Sequence, residues 1–242
     1  MTIKDWLEGL SYKLVQGSLD VEVNEVVYDS RKAAPGAVFV CMKGTKIDSH
    51  DFIPQVTEAG VKVLVTEHPV EAPEGVTVVE TENGREALAL LSAARFGYPS
   101  RKLTMIGVTG TKGKTTTTHM IKTILETSGK KTGMIGTNGV YIGEEHFPTV
   151  NTTPESYDLH RYFAKMVEEG CECCVMEVSS QAMKMHRVAG IHFNYGLFTN
   201  ISPDHIGKDE HADFAEYLYY KKQLFYQCDR ALINVDDEHI EE

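Results

Sequence analysis

An apolar run, Leu103-Thr104-Met105-Ile106-Gly107-Val108-Thr109, breaks directly into Gly110-Thr111-Lys112-Gly113-Lys114-Thr115-Thr116. A run of this kind is a strand buried on both faces, which calls for a largely parallel sheet covered by helices. A glycine turn between such a strand and a helix start lets successive backbone N–H groups point inward as an anion nest. The helix N-terminus adds its positive dipole end. Lys114 offers a point charge for β- and γ-phosphates, and the Thr115 hydroxyl suits Mg²⁺. The spacing is compact. The common pattern G-x-x-x-x-G-K-[ST] needs glycine at 108, where Val108 stands, so this is not the usual kinase or GTPase loop.

The rest of the chain reads as α/β around that loop. Residues 21–28, 37–42, 61–66 and 76–80 are short β-branched runs, with helices expected over 52–60 and 85–96. Gly97-Tyr98-Pro99-Ser100 then marks a boundary, giving domains 1–98 and 99–242. In the second domain strands are expected at 103–109, 132–136, 174–178, 195–199 and 231–235. Helices are expected at 114–128 and 213–227, the first with Met120, Ile121, Ile124 and Leu125 as its apolar stripe. Thr153-Pro154-Glu155 has the form of a helix start with Thr153 as N-cap, a natural anion site, and Leu159, Phe163, Met166 and Val167 as the apolar face. The fold class is therefore a small N-terminal α/β domain followed by a mostly parallel, P-loop ATPase-like domain. Its last strand runs into Asp236-Asp237 and stops five residues later, as if the second domain were cut.

Charge narrows the partners. With 24 basic and 35 acidic residues the net charge is −11, which excludes a general nucleic-acid or anionic-membrane surface while leaving room for a local phosphate pocket. No apolar run approaches the roughly 20 residues of a membrane span, and Met1-Thr2-Ile3-Lys4-Asp5-Trp6 has no apolar leader. The count of five Cys is odd, and Cys171, Cys173 and Cys174 crowd together without a C-x₂-C pair. They read as buried, reduced thiols of a cytosolic protein.

Several further residues fall at strand ends. Met176-Glu177-Val178-Ser179-Ser180 closes a strand, and a carboxylate there faces the crevice where parallel sheets bind ligands. Glu177 suits Mg²⁺ directly or through water, although by position alone it also reads as a surface acid. Thr199-Asn200-Ile201-Ser202-Pro203-Asp204-His205 makes the same strand-to-loop transition and places Asp204 and His205 on the same rim. Lys221 and Lys222 read, by position alone, as solvated surface lysines. His186-Arg187 suits an anion or simple surface charge. Asp29-Ser30-Arg31, followed by Pro35-Gly36, is a turn.

Together these residues resemble the Mur ligase family, in the branch that forms the UDP-N-acetylmuramoyl tripeptide of the cell-wall precursor. The resemblance runs through Asp29-Ser30-Arg31, Gly110 to Thr117, Asn151-Thr152-Thr153, Met176 to Ser180, His186-Arg187, Thr199 to His205, Tyr217 to Phe225 and Asn234 to Asp237. It implies that Gly110, Thr111, Lys112, Gly113, Lys114, Thr115 and Thr116 cradle ATP. It implies that Thr115, Glu177 and His205 serve Mg²⁺, and that Ser30 meets the uridine part of UDP-MurNAc-L-Ala-D-Glu. Asn151, Thr152, Thr153, Ser179 and Arg187 would hold the dipeptide end. A helix lysine that is carbamoylated in the family falls at Lys221, with Lys222 as the neighbouring alternative; a carbamate there would hold a second Mg²⁺. Two departures stand out: Ile206-Gly207-Lys208-Asp209-Glu210-His211 replaces the pattern Leu-Asp-x-His-Gly, and Met185 stands where several relatives carry a polar contact.

The reaction implied is ATP-dependent amide formation in peptidoglycan precursor synthesis. A D-Glu carboxylate attacks the γ-phosphate, and the amine of diaminopimelate or lysine then displaces phosphate from the acyl phosphate. No nucleophilic side chain is required. The family's third, amine-binding domain has no counterpart before Glu242, so this chain is expected to bind nucleotide and UDP-sugar yet turn over poorly alone. The rival readings are a folylpolyglutamate- or cyanophycin-synthetase-like ligase, a non-catalytic binding module, and a P-loop kinase or GTPase.

Overall fold

The computed structural model describes residues 1–44, 47–207 and 210–239. Lys208 and Asp209 of the departing loop, and Glu242, lie outside the described residues. The chain divides into two compact units, Met1–Gly97 and Tyr98–Glu242.

The first unit contains strands β1 (Lys13–Gln16), β2 (Glu25–Val27), β3 (Ala37–Val40), β4 (Val63–Thr66) and β5 (Thr77–Glu80), with helices α1 (Ile3–Trp6), α2 (Ile53–Glu58) and α3 (Gly84–Arg95). The sheet order is β1-β5-β4-β3-β2, parallel except for the antiparallel β1–β5 pair. Every residue of β3 and β4 is buried, which explains their unbroken apolar sequence. The strand expected over 21–28 shrinks to Glu25–Val27. β1 was not anticipated, because its residues are mostly exposed and carry no buried alternation. The loops leaving β3, β4 and β5 are stitched together at the carboxyl edge. His50 is 7% exposed. Its Nδ1 lies 2.5 Å from Asp48 Oδ1, and its Nε2 accepts the Glu67 N–H at 3.0 Å. The Glu67 carboxylate accepts the Lys43 and Gly84 N–H groups, each at 2.8 Å.

The second unit contains β6 (Thr104–Thr109), α4 (Lys114–Thr127), β7 (Thr132–Gly136), β8 (Gly139–Ile142), β9 (Glu145–Phe147), α5 (Ser156–Glu168), β10 (Cys173–Glu177), α6 (Ser180–Lys184), β11 (Phe193–Phe198), α7 (Phe214–Tyr226) and β12 (Cys228–Ile233). The order is β12-β11-β6-β10-β7-β8-β9. From β12 to β7 the strands run parallel, while β8 and β9 form an antiparallel edge. β6 is central. The chain first builds outward on one side of it, then crosses to the other, so its carboxyl end is the topological switch point where open α/β sheets bind ligands.

One sheet face packs Met105, Ile135, Met176 and Phe193 against Leu159, Phe163 and Met166 of α5, Met183 of α6 and Leu224 of α7. The opposite face sets Ile106, Val108 and Val175 against Ile121 and Leu125 of α4. Two expectations are corrected here. The contact stripe of α4 runs through Thr118, Ile121 and Leu125, while Met120 and Ile124 are 60% and 64% exposed. The expected N-cap at Thr153 is also wrong. α5 starts at Ser156 with Glu155 at its N-cap, because the Thr153 hydroxyl bonds across to β10 instead. Cys171, Cys173 and Cys174 are buried free thiols, and burial raises the pKa of all three. Among the described residues no helix is long and apolar enough to cross a membrane.

His160 on α5 is fully buried, and burial pushes its pKa down to about 3. Between its ordinary value of 6.5 and about 3 the unfolded chain takes up a proton that the folded one refuses, so stability falls as pH drops through this window. His160→Leu is expected to flatten that part of the pH dependence, as measured by urea denaturation; an unchanged slope would contradict the burial assignment.

Candidate phosphate-binding site

The site is built at the end of β6. Gly110 adopts φ +143°, and a Cβ at this position would collide with Thr199 Oγ1, so no other residue fits. Gly113 (φ +83°) is the N-cap of α4 and borders open space. Between these glycines the loop is clamped to the segment leaving β11. The Thr111 N–H donates to Asn200 O at 2.9 Å, and the Lys112 N–H donates to Asn200 Oδ1 at 2.9 Å. Lys112 O accepts from Thr199 Oγ1 at 2.8 Å and from Asn200 Nδ2 at 3.0 Å. Thr111 Oγ1 accepts the Ser202 N–H at 3.0 Å and the Tyr217 O–H at 3.2 Å. Asp237 Oδ2 in turn accepts the Ile201 N–H at 2.9 Å, anchoring the β11 exit from beyond β12.

Two ammonium groups converge on this loop. Lys114 Nζ donates to Gly110 O at 2.8 Å and to Thr111 O at 3.1 Å, and Lys221 Nζ donates to Gly110 O at 2.7 Å. Lys221 is 2% exposed, which corrects its reading as a surface lysine. Burial, with the charge of Lys114 added and Asp204 opposing, lowers the Lys221 pKa to about 7. Burial also lowers that of Lys114, against Glu177 and Asp204. The result is a backbone nest carrying two desolvated amines whose common partner is one carbonyl.

Glu177 sits beside it at the end of β10 and is 1% exposed, so the surface-acid reading does not hold. Its Oε1 accepts the Thr115 hydroxyl and the Thr137 N–H, each at 2.9 Å, and its Oε2 accepts the Thr137 hydroxyl at 3.2 Å. Thr115 and Glu177 thus form a pair of hard oxygen donors, the chemistry that suits Mg²⁺. Thr152 joins through Thr137, with hydroxyls 3.0 Å apart. Thr153 Oγ1 donates to Glu177 O at 2.9 Å and accepts the Ser179 N–H at 3.1 Å. Ser179 caps α6 by accepting the Ala182 N–H. Arg187 donates to Thr153 O at 3.1 Å and pairs with Glu155 at 2.7 Å, while Asn151 is exposed.

Thr115 and Glu177 are therefore in direct contact, and Lys114 and Lys221 share one acceptor. His205 is turned elsewhere. It is exposed, in the left-handed region (φ 54°), with Nδ1 2.9 Å from Glu210 Oε1. Lys112 and Thr116 are exposed at the loop. Ser30 belongs to the first unit, in a single 3₁₀ turn over Ser30–Lys32 following β2 at the carboxyl edge of that sheet. Thr199, Asn200, Tyr217 and Asp237 lie inside motifs the sequence offers but carried no role there, and Thr137 was not marked at all. Of these, Thr199 and Asn200 carried a usable signal, standing at the carboxyl end of a strand beside the glycine loop.

Two family descriptions match the chain: "Mur ligase middle domain" over residues 108–242 and "Mur ligase family, catalytic domain" over residues 22–96. The chain belongs to the Mur ligase family. It is 44% identical over 239 residues to the UDP-N-acetylmuramoyl-L-alanyl-D-glutamate–2,6-diaminopimelate ligase of Clostridium perfringens, an alignment covering 99% of this chain and 49% of that protein. A solved structure of a ligase of the same name superposes with TM-score 0.83 at 21% identity, covering 100% of this chain and 48% of the other. The MurF ligase of Thermotoga maritima in complex with ADP superposes with TM-score 0.58 at 20% identity, covering 90% and 47%. These two likenesses establish the fold. The chain spans about half the length of the curated relatives it matches.

Asn200→Ala removes both an acceptor and a donor from the loop clamp. It is expected to cost about 1 kcal/mol of stability and to speed amide hydrogen exchange at Thr111 and Lys112; unchanged exchange would show that the clamp does not hold the loop. The buried Lys221 gives a second test. From its folded pKa of about 7 up to the ordinary 10.5, the unfolded chain holds a proton that the folded chain has shed, so stability rises with pH across that window. Lys221→Met is expected to lose this rise in denaturation curves.

Proposed function

We propose that this chain carries the nucleotide- and UDP-sugar-binding part of an ATP-dependent amide ligase that adds diaminopimelate to UDP-MurNAc-L-Ala-D-Glu in peptidoglycan precursor synthesis. One observation carries the reading: a clamped glycine loop at the switch point of a parallel sheet, with a buried and a half-buried amine on one carbonyl and the buried Glu177 carboxylate on the Thr115 hydroxyl. The diaminopimelate ligase of C. perfringens at 44% identity supports the substrate, and the ADP complex of the T. maritima ligase supports the nucleotide.

The loop Gly110 to Thr116 binds the triphosphate through the N–H groups from Gly113 onward at the α4 N-terminus, while Asn200 keeps the Thr111 and Lys112 N–H groups and so holds the loop open. Lys114 exchanges its loop carbonyls for the β- and γ-phosphates. Thr115 and Glu177 would hold Mg²⁺, and His205 would join them on leaving Glu210. Bound there, the metal would supply charge neutralisation and alignment for in-line transfer. Ser30 contacts the uridine part, and Asn151, Thr152, Thr153, Ser179 and Arg187 hold the dipeptide end, with Arg187 released from Glu155 by the substrate carboxylate. The D-Glu side-chain carboxylate then attacks the γ-phosphorus, ADP leaves, and an amine displaces phosphate from the acyl phosphate. The barrier is chiefly the approach of an anion to a polyanion, which the Lys114 ammonium lowers electrostatically.

Lys221 suits carbamoylation for a physical reason. An amine with a pKa of about 7 is substantially neutral at physiological pH, and only the neutral amine adds CO₂. The carbamate would turn that amine into an anion beside Lys114, its counter-ion.

In calorimetric titration the chain is expected to bind Mg·ATP, and Lys114→Ala to weaken that binding at least tenfold, about 1.4 kcal/mol. Unaltered affinity in Lys114→Ala would remove the nucleotide reading. With ¹³C-bicarbonate, a carbamate resonance is expected in the parent and in Lys222→Met but not in Lys221→Met. The reverse pattern would move the modification to Lys222.

A further inference from the structure

His211 takes no part in the chemistry above, yet it is the one buried side chain among the described residues of 202–212. Its backbone closes the segment that presents His205: the His211 N–H donates to His205 O at 3.1 Å, and His211 O accepts the Gly207 N–H at 3.0 Å. Its ring lies against α7, with centroids 5.3 Å from Tyr217 and 5.7 Å from Tyr220. Its Nε2 is 2.9 Å from Ser180 Oγ, at the first residue of α6. Glu216 Oε2 stands 3.8 Å from Nδ1, beyond hydrogen-bond range but placed to favour the proton there. Nε2 and the Ser180 hydroxyl hydrogen-bond in either tautomer, the hydroxyl serving as donor or acceptor. Lys184 of α6 runs alongside, 2.9 Å from the Glu216 carboxylate and 3.0 Å from Glu210 O.

We infer that His211 is a positioning residue, whose ring sets the loop bearing His205 against the start of α6 and the face of α7. His205 is exposed and holds a left-handed backbone conformation, a geometry that persists only where the surroundings impose it. Among the described residues of the loop, His211 supplies the buried anchor that does so. A bulky apolar residue could fill its volume against Tyr217 and Tyr220 but could not hydrogen-bond to Ser180, so register with α6 would be lost while packing survived. The inference deepens the proposed function and rests on its assignment of His205 to the metal.

The test measures Mn²⁺, as a paramagnetic stand-in for Mg²⁺, by electron paramagnetic resonance on the 242-residue chain with saturating ATP, beside ATP affinity in EDTA. His211→Phe is expected to weaken Mn²⁺ binding about tenfold, the usual cost of removing support for a metal ligand. Ser180→Ala is expected to weaken it about threefold, one hydrogen bond's worth. The double variant should be no weaker than His211→Phe. ATP affinity in EDTA should stay unchanged, because the phosphate loop is untouched. Should His211→Phe fail to fold, Ser180→Ala decides alone. Unchanged Mn²⁺ affinity, or an equal loss of metal-free ATP affinity, would overturn the inference. His205→Ala separates the two levels. If the parent binds no nucleotide, or His205→Ala leaves Mn²⁺ affinity intact, the proposed function fails at that point and takes the inference with it. A metal loss in His205→Ala without one in His211→Phe or Ser180→Ala overturns the positioning role by itself.

Discussion

The turn at the end of β6 holds its shape because residue 110 has no side chain. Thr199 occupies the space a Cβ would need, and the backbone at φ +143° is open to glycine alone. With Gly110 in place, Asn200 can bond both faces of the next two peptides, and the carbonyl of Gly110 turns toward Lys114 and Lys221. Two lysine amines on one neutral oxygen are an incomplete arrangement. Burial disfavours the charged form of both, and the Lys114 charge lowers the Lys221 pKa further. In the proposed function an anion at the loop completes the arrangement around Lys114.

Glu177 answers the same constraint from the neighbouring strand. It is buried at the end of β10, where Gly136 leaves it room, and its oxygens accept from Thr115 and Thr137. Acid and ammonium are kept on separate partners, the acid on hydroxyl and amide hydrogens and the lysines on backbone carbonyls. In the proposed function, that separation leaves oxygen donors for a divalent cation and the Lys114 amine for its polyanionic partner. The first unit uses the carboxyl edge of its own parallel sheet in the same way, with His50 and Glu67 binding three loops into one rim.

Much of this was legible in the sequence. The central strand, the glycine loop, α4 and the carboxylate at the end of β10 follow from patterns local to a few residues. What escaped was set by tertiary contact. Thr153 looks like a helix cap, but its hydroxyl finds Glu177 O and the Ser179 N–H across the sheet, and the helix starts later. Lys221 lies in a polar stretch and reads as solvated; only the phosphate loop folding over α7 buries it. Met120 and Ile124 read as core, although just the stripe through Ile121 and Leu125 meets the sheet. The β7–β8 hairpin had a local signal, Asn138-Gly139 before the alternating Val140 and Ile142, that escaped the pattern of strands and helices. His205 was placed on the rim by its motif, but its side chain is committed to Glu210, a partner that only the folded loop supplies.

The central claim is that this loop is shaped to take a triphosphate and that Lys114 changes partners when it does. A crystal structure with a non-hydrolysable ATP analogue tests it most directly. The account predicts phosphates against the N–H groups of Gly113, Lys114 and Thr115 at the start of α4, with Thr111 and Lys112 still held by Asn200, and Lys114 Nζ moved from its 2.8 Å contact with Gly110 O onto the β- and γ-phosphates. Nucleotide bound elsewhere, with Lys114 still seated on Gly110, would contradict it.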